Sequence, residues 1–283
     1  MLVGFFFFLT ISVITRPSRA AVESFVYGGC SQVKYAPGTP YESNLNSLLT
    51  SLVNSASFAN FNNFKISVPG SGPNDVVYGL FQCRGDLGGS DCRDCVARSV
   101  SQLGVLCVNA AGGALQLDGC FIKYDNVSFL GVEDKTVVMK KCGPVIGYDS
   151  DELTRRDALL DSFAAGGQFF RVGGSGRVQG VAQCVQDLSV SECQDCLSDA
   201  IGRLKSECGS AAWGDMFLAK CYARYSDKGR YSEQGQYSKH DDNDNDDEVE
   251  KTLAILIGLI AGVALLVVFL SFCSRVLENK SGK

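Results

Sequence analysis

Five cysteines recur in register along this chain. Cys83, Cys92, Cys95, Cys107 and Cys120 reappear 101 residues later as Cys184, Cys193, Cys196, Cys208 and Cys221, each set spaced C-x8-C-x2-C-x11-C-x12-C. Five coincidences at one offset mark a tandem duplication, so the chain folds as two copies of one unit. A sixth cysteine precedes each set. Phe25-Val26-Tyr27-Gly28-Gly29-Cys30 and Val137-Val138-Met139-Lys140-Lys141-Cys142 are both short apolar strands running into a cysteine, 112 residues apart. The larger offset places extra length in the first unit, and the Asn-, Gly-, Ser- and Pro-rich stretch from Asn60 to Pro73 is the expected loop that holds it. The units are expected over residues 21–130 and 131–230.

Twelve of the 13 cysteines lie between two apolar segments. The first, Met1 to Ile14, is broken by Arg16-Pro17 and followed by Ser18-Arg19-Ala20, the small-residue pattern that signal peptidase reads, so residues 1–20 are expected to be a cleaved signal peptide. The second, Leu253 to Cys273, has 21 uncharged residues. At a rise of about 1.5 Å per residue it matches the roughly 30 Å hydrocarbon core of a bilayer. An acidic run from Asp241 to Glu250 precedes it, and Arg275, Lys280 and Lys283 follow. Positive residues favour the cytoplasmic face, and this agrees with a translocated N-terminal part. The expectation is a type I anchor: a solvated acidic stalk over 231–252, a transmembrane helix over 253–273 and a tail over 274–283 too short for a kinase. Within the span, Gly258-x-x-x-Gly262 is a candidate helix-association motif and Cys273 a candidate palmitoylation site.

Twelve cysteines in a translocated ectodomain argue for six disulfides. A zinc site lacks ligands, since His240 is the only histidine. A redox pair at Cys92-x-x-Cys95 or Cys193-x-x-Cys196 lacks the βαβ setting of that chemistry. Six cysteines per unit leave fifteen connectivities open at this point.

The periodicities predict an α+β fold. Leu45, Leu48, Leu49, Leu52 and Val53 form one helical face in the first unit, echoed by Leu153, Leu159, Leu160 and Phe163 in the second. A second helix is expected from Ser90 and from Ser191 as N-caps, with Gln194 closing a capping box. Its buried stripe is Cys92, Cys95, Val96, Val100, Leu103 and Leu106, or Cys193, Cys196, Leu197, Ala200, Ile201 and Leu204. Strands are expected at Val76–Phe81, Leu115–Tyr124 and Thr136–Lys141, giving an antiparallel sheet with two helices on one face in each unit. Trp213 and Phe217 are assigned to the second unit's core.

Catalysis finds little support. His240 abuts the acidic stalk, so a Ser/His/Asp or Cys/His arrangement has no base in either unit. Asp86, Asp118 and Asp125 lack an arrangement recognisable for paired-carboxylate chemistry. The reading is a non-enzymatic protein with no cofactor and no metal site. A net charge of −5 with much of the acid in the stalk gives no reason to expect a nucleic-acid partner. Asn126-Val127-Ser128 is a candidate glycosylation site.

The twice-repeated C-x8-C-x2-C spacing, ahead of a single span and no kinase, resembles the plasmodesmata-located proteins of plants, whose repeats are similar to those of cysteine-rich receptor-like kinases and of ginkbilobin, a secreted antifungal lectin. The resemblance implies first-to-fifth, second-to-third and fourth-to-sixth pairing. That is Cys30–Cys107, Cys83–Cys92 and Cys95–Cys120, then Cys142–Cys208, Cys184–Cys193 and Cys196–Cys221. It also implies residence in the membrane lining plasmodesmata and control of cell-to-cell traffic linked to callose, defence and viral movement. Implied partners are other membrane or apoplastic proteins, further copies of the chain and viral movement proteins. The lectin's sugar contacts fall here on Ser31, Ala114 and Asp125, and in the second unit on Gly143, Asp215 and Ser226, so its Asn, Arg and Glu are not retained. Ala and Gly offer a sugar no side-chain hydrogen bond, and mannose binding of that type is not expected. A cell-wall glycan bound elsewhere is the alternative reading.

Overall fold

The computed structural model describes residues 22–67, 72, 75–145 and 150–227. The expected signal peptide, the expected stalk with His240, the expected span with Gly258, Gly262 and Cys273, and the expected tail lie outside the described residues. Among the described residues no helix is long and apolar enough to cross a membrane.

Both units have one element order. The first runs β1 (Phe25–Cys30), α1 (Pro40–Ser55), β2 (Phe61–Ile66), β3 (Val77–Cys83), α2 (Gly89–Leu106), β4 (Gly112–Leu117), β5 (Cys120–Asp125). The second runs β6 (Val137–Cys142), α3 (Ser150–Ala165), β7 (Phe170–Ser175), β8 (Val178–Cys184), α4 (Val190–Cys208), β9 (Trp213–Leu218), β10 (Cys221–Asp227). Each sheet is antiparallel throughout, ordered β1-β4-β5-β3-β2 and β6-β9-β10-β8-β7. The α+β class with two helices on one sheet face is as expected.

The helices form where the apolar periodicity lies. Pro40 opens α1, where a missing N–H is harmless, and Leu45, Leu48 and Leu52 are buried against the sheet. Gly79 on β3 lets α1 approach closely, since a Cβ there would lie 2.5 Å from Leu48 Cδ2. Arg156 on α3 is buried, a residue the apolar pattern did not reveal; its guanidinium meets Asp157 and the Gly209 carbonyl and covers the Tyr225 ring at 5.3 Å.

The disulfides tie each second helix to the sheet. Because Cys92 and Cys95 share one helical face, the first reaches Cys83 at the end of β3 and the second Cys120 at the start of β5, while Cys107 past the helix end joins Cys30 on β1. The second unit repeats the arrangement as Cys184–Cys193, Cys196–Cys221 and Cys142–Cys208.

Several local expectations need correction. The stretch Leu115–Tyr124 is two strands folded back at Asp118-Gly119, so the apolar run is a hairpin rather than one strand. Residues 61–66, expected as loop, form edge strand β2, whose Phe64 and Ile66 face the helices while Phe61 faces the other side. Most of the extra length instead lies in residues 67–76, whereas β7 and β8 are joined by Gly176-Arg177 alone. Helix α2 is capped by Gly88 and α4 by Ser189, upstream of Ser90 and Ser191. The capping box is Ser189 with Glu192, not Gln194: the Glu192 N–H donates to Ser189 Oγ at 3.3 Å and the Ser189 N–H to Glu192 Oε2 at 2.7 Å. Ser189→Ala is therefore expected to cost about 1 kcal/mol in urea unfolding and Ser191→Ala only a few tenths. Equal losses would contradict this box. In the α2 stripe Ser99 is buried, Val100 is only partly so, and Leu106 is 48% exposed, lying over Gly28 of edge strand β1.

Buried tyrosines lock the loops under each helix pair. Tyr41 Oη donates to the Ala111 carbonyl at 2.6 Å, Tyr124 Oη to Ala110 at 3.2 Å, and Tyr225 Oη to Ala211 at 3.0 Å. Burial raises the Tyr41 and Tyr225 phenols above the usual range and pushes Tyr124 up to about 12. A raised folded-state value keeps its stabilising contribution below the unfolded value of 10.0 and loses it as pH climbs through about 12. Alkaline unfolding is thus expected between about pH 10 and 12, coincident with delayed tyrosinate absorbance. Tyrosinate formed near pH 10 in a still-folded protein would contradict it.

Candidate functional site

Strand alternation gives each sheet a helix-free face, and the two bare faces meet. Leu80 and Phe121 of the first unit cluster with Val185 of the second, flanked by Tyr27, Phe61, Phe129 and Leu130. Tyr27 meets Phe217 edge-on with ring centroids 5.8 Å apart, and Phe217 stacks on Tyr222 at 4.8 Å. Phe217 is thus a seam residue rather than part of the helix-side core, and Trp213 is only half-buried.

Polar groups fix the docking. The Gln183 amide donates to the Cys83 carbonyl at 2.9 Å, and the Gln186 N–H to Gln82 Oε1 at 3.0 Å. Asp118 bridges Arg84 of its own unit and Arg224 of the other. Arg84 Nε also donates to Asp86 at 2.7 Å and Arg224 Nε to Asp215 at 2.7 Å. Deeper still, Lys220 and Asp187 form an ion pair whose side chains are 2% and 3% exposed. Lys220 Nζ also donates to the Phe129 carbonyl at 3.0 Å, and the Gly131 N–H donates to Asp187 Oδ2 at 3.0 Å. The pair therefore clasps the segment connecting the units. Burial pushes the Lys220 ammonium below the usual lysine range, opposed by its bond to Asp187.

The structure brings Ser31, Ala114 and Asp125 of the first unit together in one groove of about 520 Å³, with Gly112 and Lys123 of the same unit and Val138 of the second. Asp125 Oδ1 accepts from the Val127 N–H at 3.0 Å. In the second unit the matching place is filled. A Cβ on Gly143 would lie 2.5 Å from Trp213 Cδ1, Asp215 is engaged by Arg224, and Ser226 is buried. Gly112 opens β4 where Trp213 opens β9, so one substitution between the repeats keeps one groove clear and covers the other. Asn126 is half-buried in the turn after β5, its N–H donating to the Ala111 carbonyl at 3.1 Å. Asp86 and Asp118 sit in the seam network rather than with Asp125. Among the described residues no group of three or more His, Cys, Asp or Glu side chains could hold a metal ion.

The seam residues escaped the reading of motifs, yet departures from the repeat mark them. Lys220 stands where the first unit has Gly119, Arg224 where it has Lys123, and Ala219 where it has Asp118.

Two disulfide-tied α+β units joined through their sheets define a tandem cysteine-rich protein. The family model described as salt stress response/antifungal matches residues 29–127 and 148–228. Plasmodesmata-located protein 6 of Arabidopsis thaliana is 61% identical over 279 residues, covering 98% of this chain and 96% of that protein. Plasmodesmata-located protein 7 of the same plant is 58% identical over 276 residues, covering 95% and 91%. The crystal structure of the tandem DUF26 ectodomain of the Arabidopsis thaliana cysteine-rich receptor-like protein PDLP5 is similar at 50% identity with a TM-score of 0.68, covering 72% of this chain and 99% of that one. The chain belongs to the plasmodesmata-located protein family.

Proposed function

We propose that this chain is a non-enzymatic, single-pass type I membrane protein of plasmodesmata, its two cysteine-rich units outside the cell, that regulates cell-to-cell traffic through protein interactions. The observation that carries this reading is similarity along nearly the whole chain, 61% identity across 98% of it, to a protein named for that location. The architecture supports it. Aromatic packing, the Asp118 bridge and the buried Lys220–Asp187 clasp hold the two units as one platform, suited to presenting a fixed surface. Lateral association through Gly258 and Gly262, acylation of Cys273 and glycosylation of Asn126 belong to the same proposal. A C-terminal fluorescent fusion in plant epidermis tests the location. Paired puncta across walls that coincide with stained callose are expected, and an even signal over the plasma membrane would overturn it.

The open groove at Gly112, Ser31 and Asp125 favours a second reading, capture of a cell-wall glycan at this one groove, with no counterpart at the matching place in the second unit. Gly112→Trp, imitating the second unit, must displace Asp125 and Ser31 and is then expected to abolish signals on a glycan array. Signals that survive the substitution would remove the groove from the account.

A further inference from the structure

One buried guanidinium in the second unit has no counter-charge among the described residues. Arg171 lies on β7 opposite Ala182 of β8 and is 7% exposed. Its Nε donates to the Gln168 carbonyl at 2.7 Å, whereas Nη1 and Nη2 are buried and have no hydrogen-bond partner. Burial holds the group below the usual arginine range, and no neighbouring carboxylate opposes that effect. A fold rarely keeps a desolvated charge unpaired, because burying one ion without its partner is among the most unfavourable arrangements available to it. Arg156, the other buried arginine of this unit, shows the ordinary solution: Asp157, a carbonyl and an aromatic ring surround it.

The same side chain lines a cavity of about 500 Å³ beside the C-terminal turn of α3. Ser162, Gly166, Gly167 and Gln168 line it beside Arg171, and no lining residue carries a negative charge. The first unit has Asn62 at the matching place on β2, so the feature belongs to the second unit alone.

We propose that this cavity binds a small hydroxylated carboxylate, the class to which uronic-acid sugars belong. The planar guanidinium fork matches a carboxylate with two parallel N–H donors, and a single arginine balances one negative charge rather than two. The Ser162 hydroxyl already donates to the Leu159 carbonyl at 2.6 Å, which leaves its oxygen to accept from a ligand hydroxyl. The Gln168 side-chain amide both donates and accepts. The site is separate from the first unit's groove and does not depend on what that groove does.

Isothermal titration of the full chain in detergent, with galacturonate, galactose and acetate as probes, tests the proposal. Galacturonate is expected to bind, galactose and acetate at least about tenfold more weakly, and Arg171→Gln to weaken galacturonate by about tenfold or more. Galactose binding as well as galacturonate would show that the charge is not read. Acetate binding as well would show that the hydroxylated body is not read. Either result overturns the assignment, as does unchanged affinity in Arg171→Gln. Should that variant fail to fold, Ser162→Ala with Gln168→Ala changes only exposed wall residues and is expected to weaken galacturonate about tenfold; unchanged affinity there overturns the site equally.

Discussion

Lys220→Met is expected to destabilise the folded ectodomain by about 3–5 kcal/mol, among the largest losses available to one substitution outside the disulfides. The reason is the partner left behind. Asp187 is 3% exposed at its side chain, and its Oδ1 already lacks a hydrogen bond, so without Lys220 its charge has neither water nor cation. The loss has a second component, because Lys220 Nζ and Asp187 together hold Phe129 and Gly131 of the connecting segment. The companion variant Lys220→Met with Asp187→Leu separates the effects. A buried pair replaced by apolar groups of similar volume is commonly neutral or stabilising, so the double variant is expected to recover most of the loss. Urea unfolding of both variants measures this. A single variant as stable as the parent would mean that the pair does not close the connection as described.

Disulfide removal is expected to follow loop length. Cys30–Cys107 spans 77 residues and Cys142–Cys208 spans 66, against 25 for Cys95–Cys120 and Cys196–Cys221, and 9 for Cys83–Cys92 and Cys184–Cys193. Closing a longer loop removes more freedom from the unfolded chain, about 4.5 kcal/mol for the longest here and about 2.6 kcal/mol for the shortest. Paired Cys→Ser variants at Cys30 and Cys107 should therefore lower the unfolding free energy about 2 kcal/mol further than paired variants at Cys83 and Cys92. The reverse order would show that the short bridges, which fix the start of α2 and α4, act through native packing instead.

The parts of this fold legible in the sequence are those that repeat. Cysteine spacing marked two copies, and leucine periodicity placed α1 and α3, because both patterns are local and occur twice. The hairpin at Asp118-Gly119 was missed because its turn lies inside an apolar run and reads as one strand. The edge strand β2 was missed because its composition is that of a loop and pairing with β3 decides its form. Phe217 was misplaced for a different reason. Alternation shows which residues share a face, yet it does not say which face another domain covers. Arg156 and Arg171 are charged residues in buried positions, and no periodicity rule anticipates a charge there. In the groove, the decisive contrast was Gly112 against Trp213, visible only once the strands showed that these two residues occupy the same place.

The most direct test of the central claim is the spread of a mobile fluorescent dye from single epidermal cells that overexpress the chain, compared with cells that carry only its signal segment and anchor fused to the same reporter. The account predicts fewer labelled neighbours with the full chain and unrestricted spread with the anchor alone. Equal spread in both would contradict a role in cell-to-cell traffic, wherever in the membrane the protein is found.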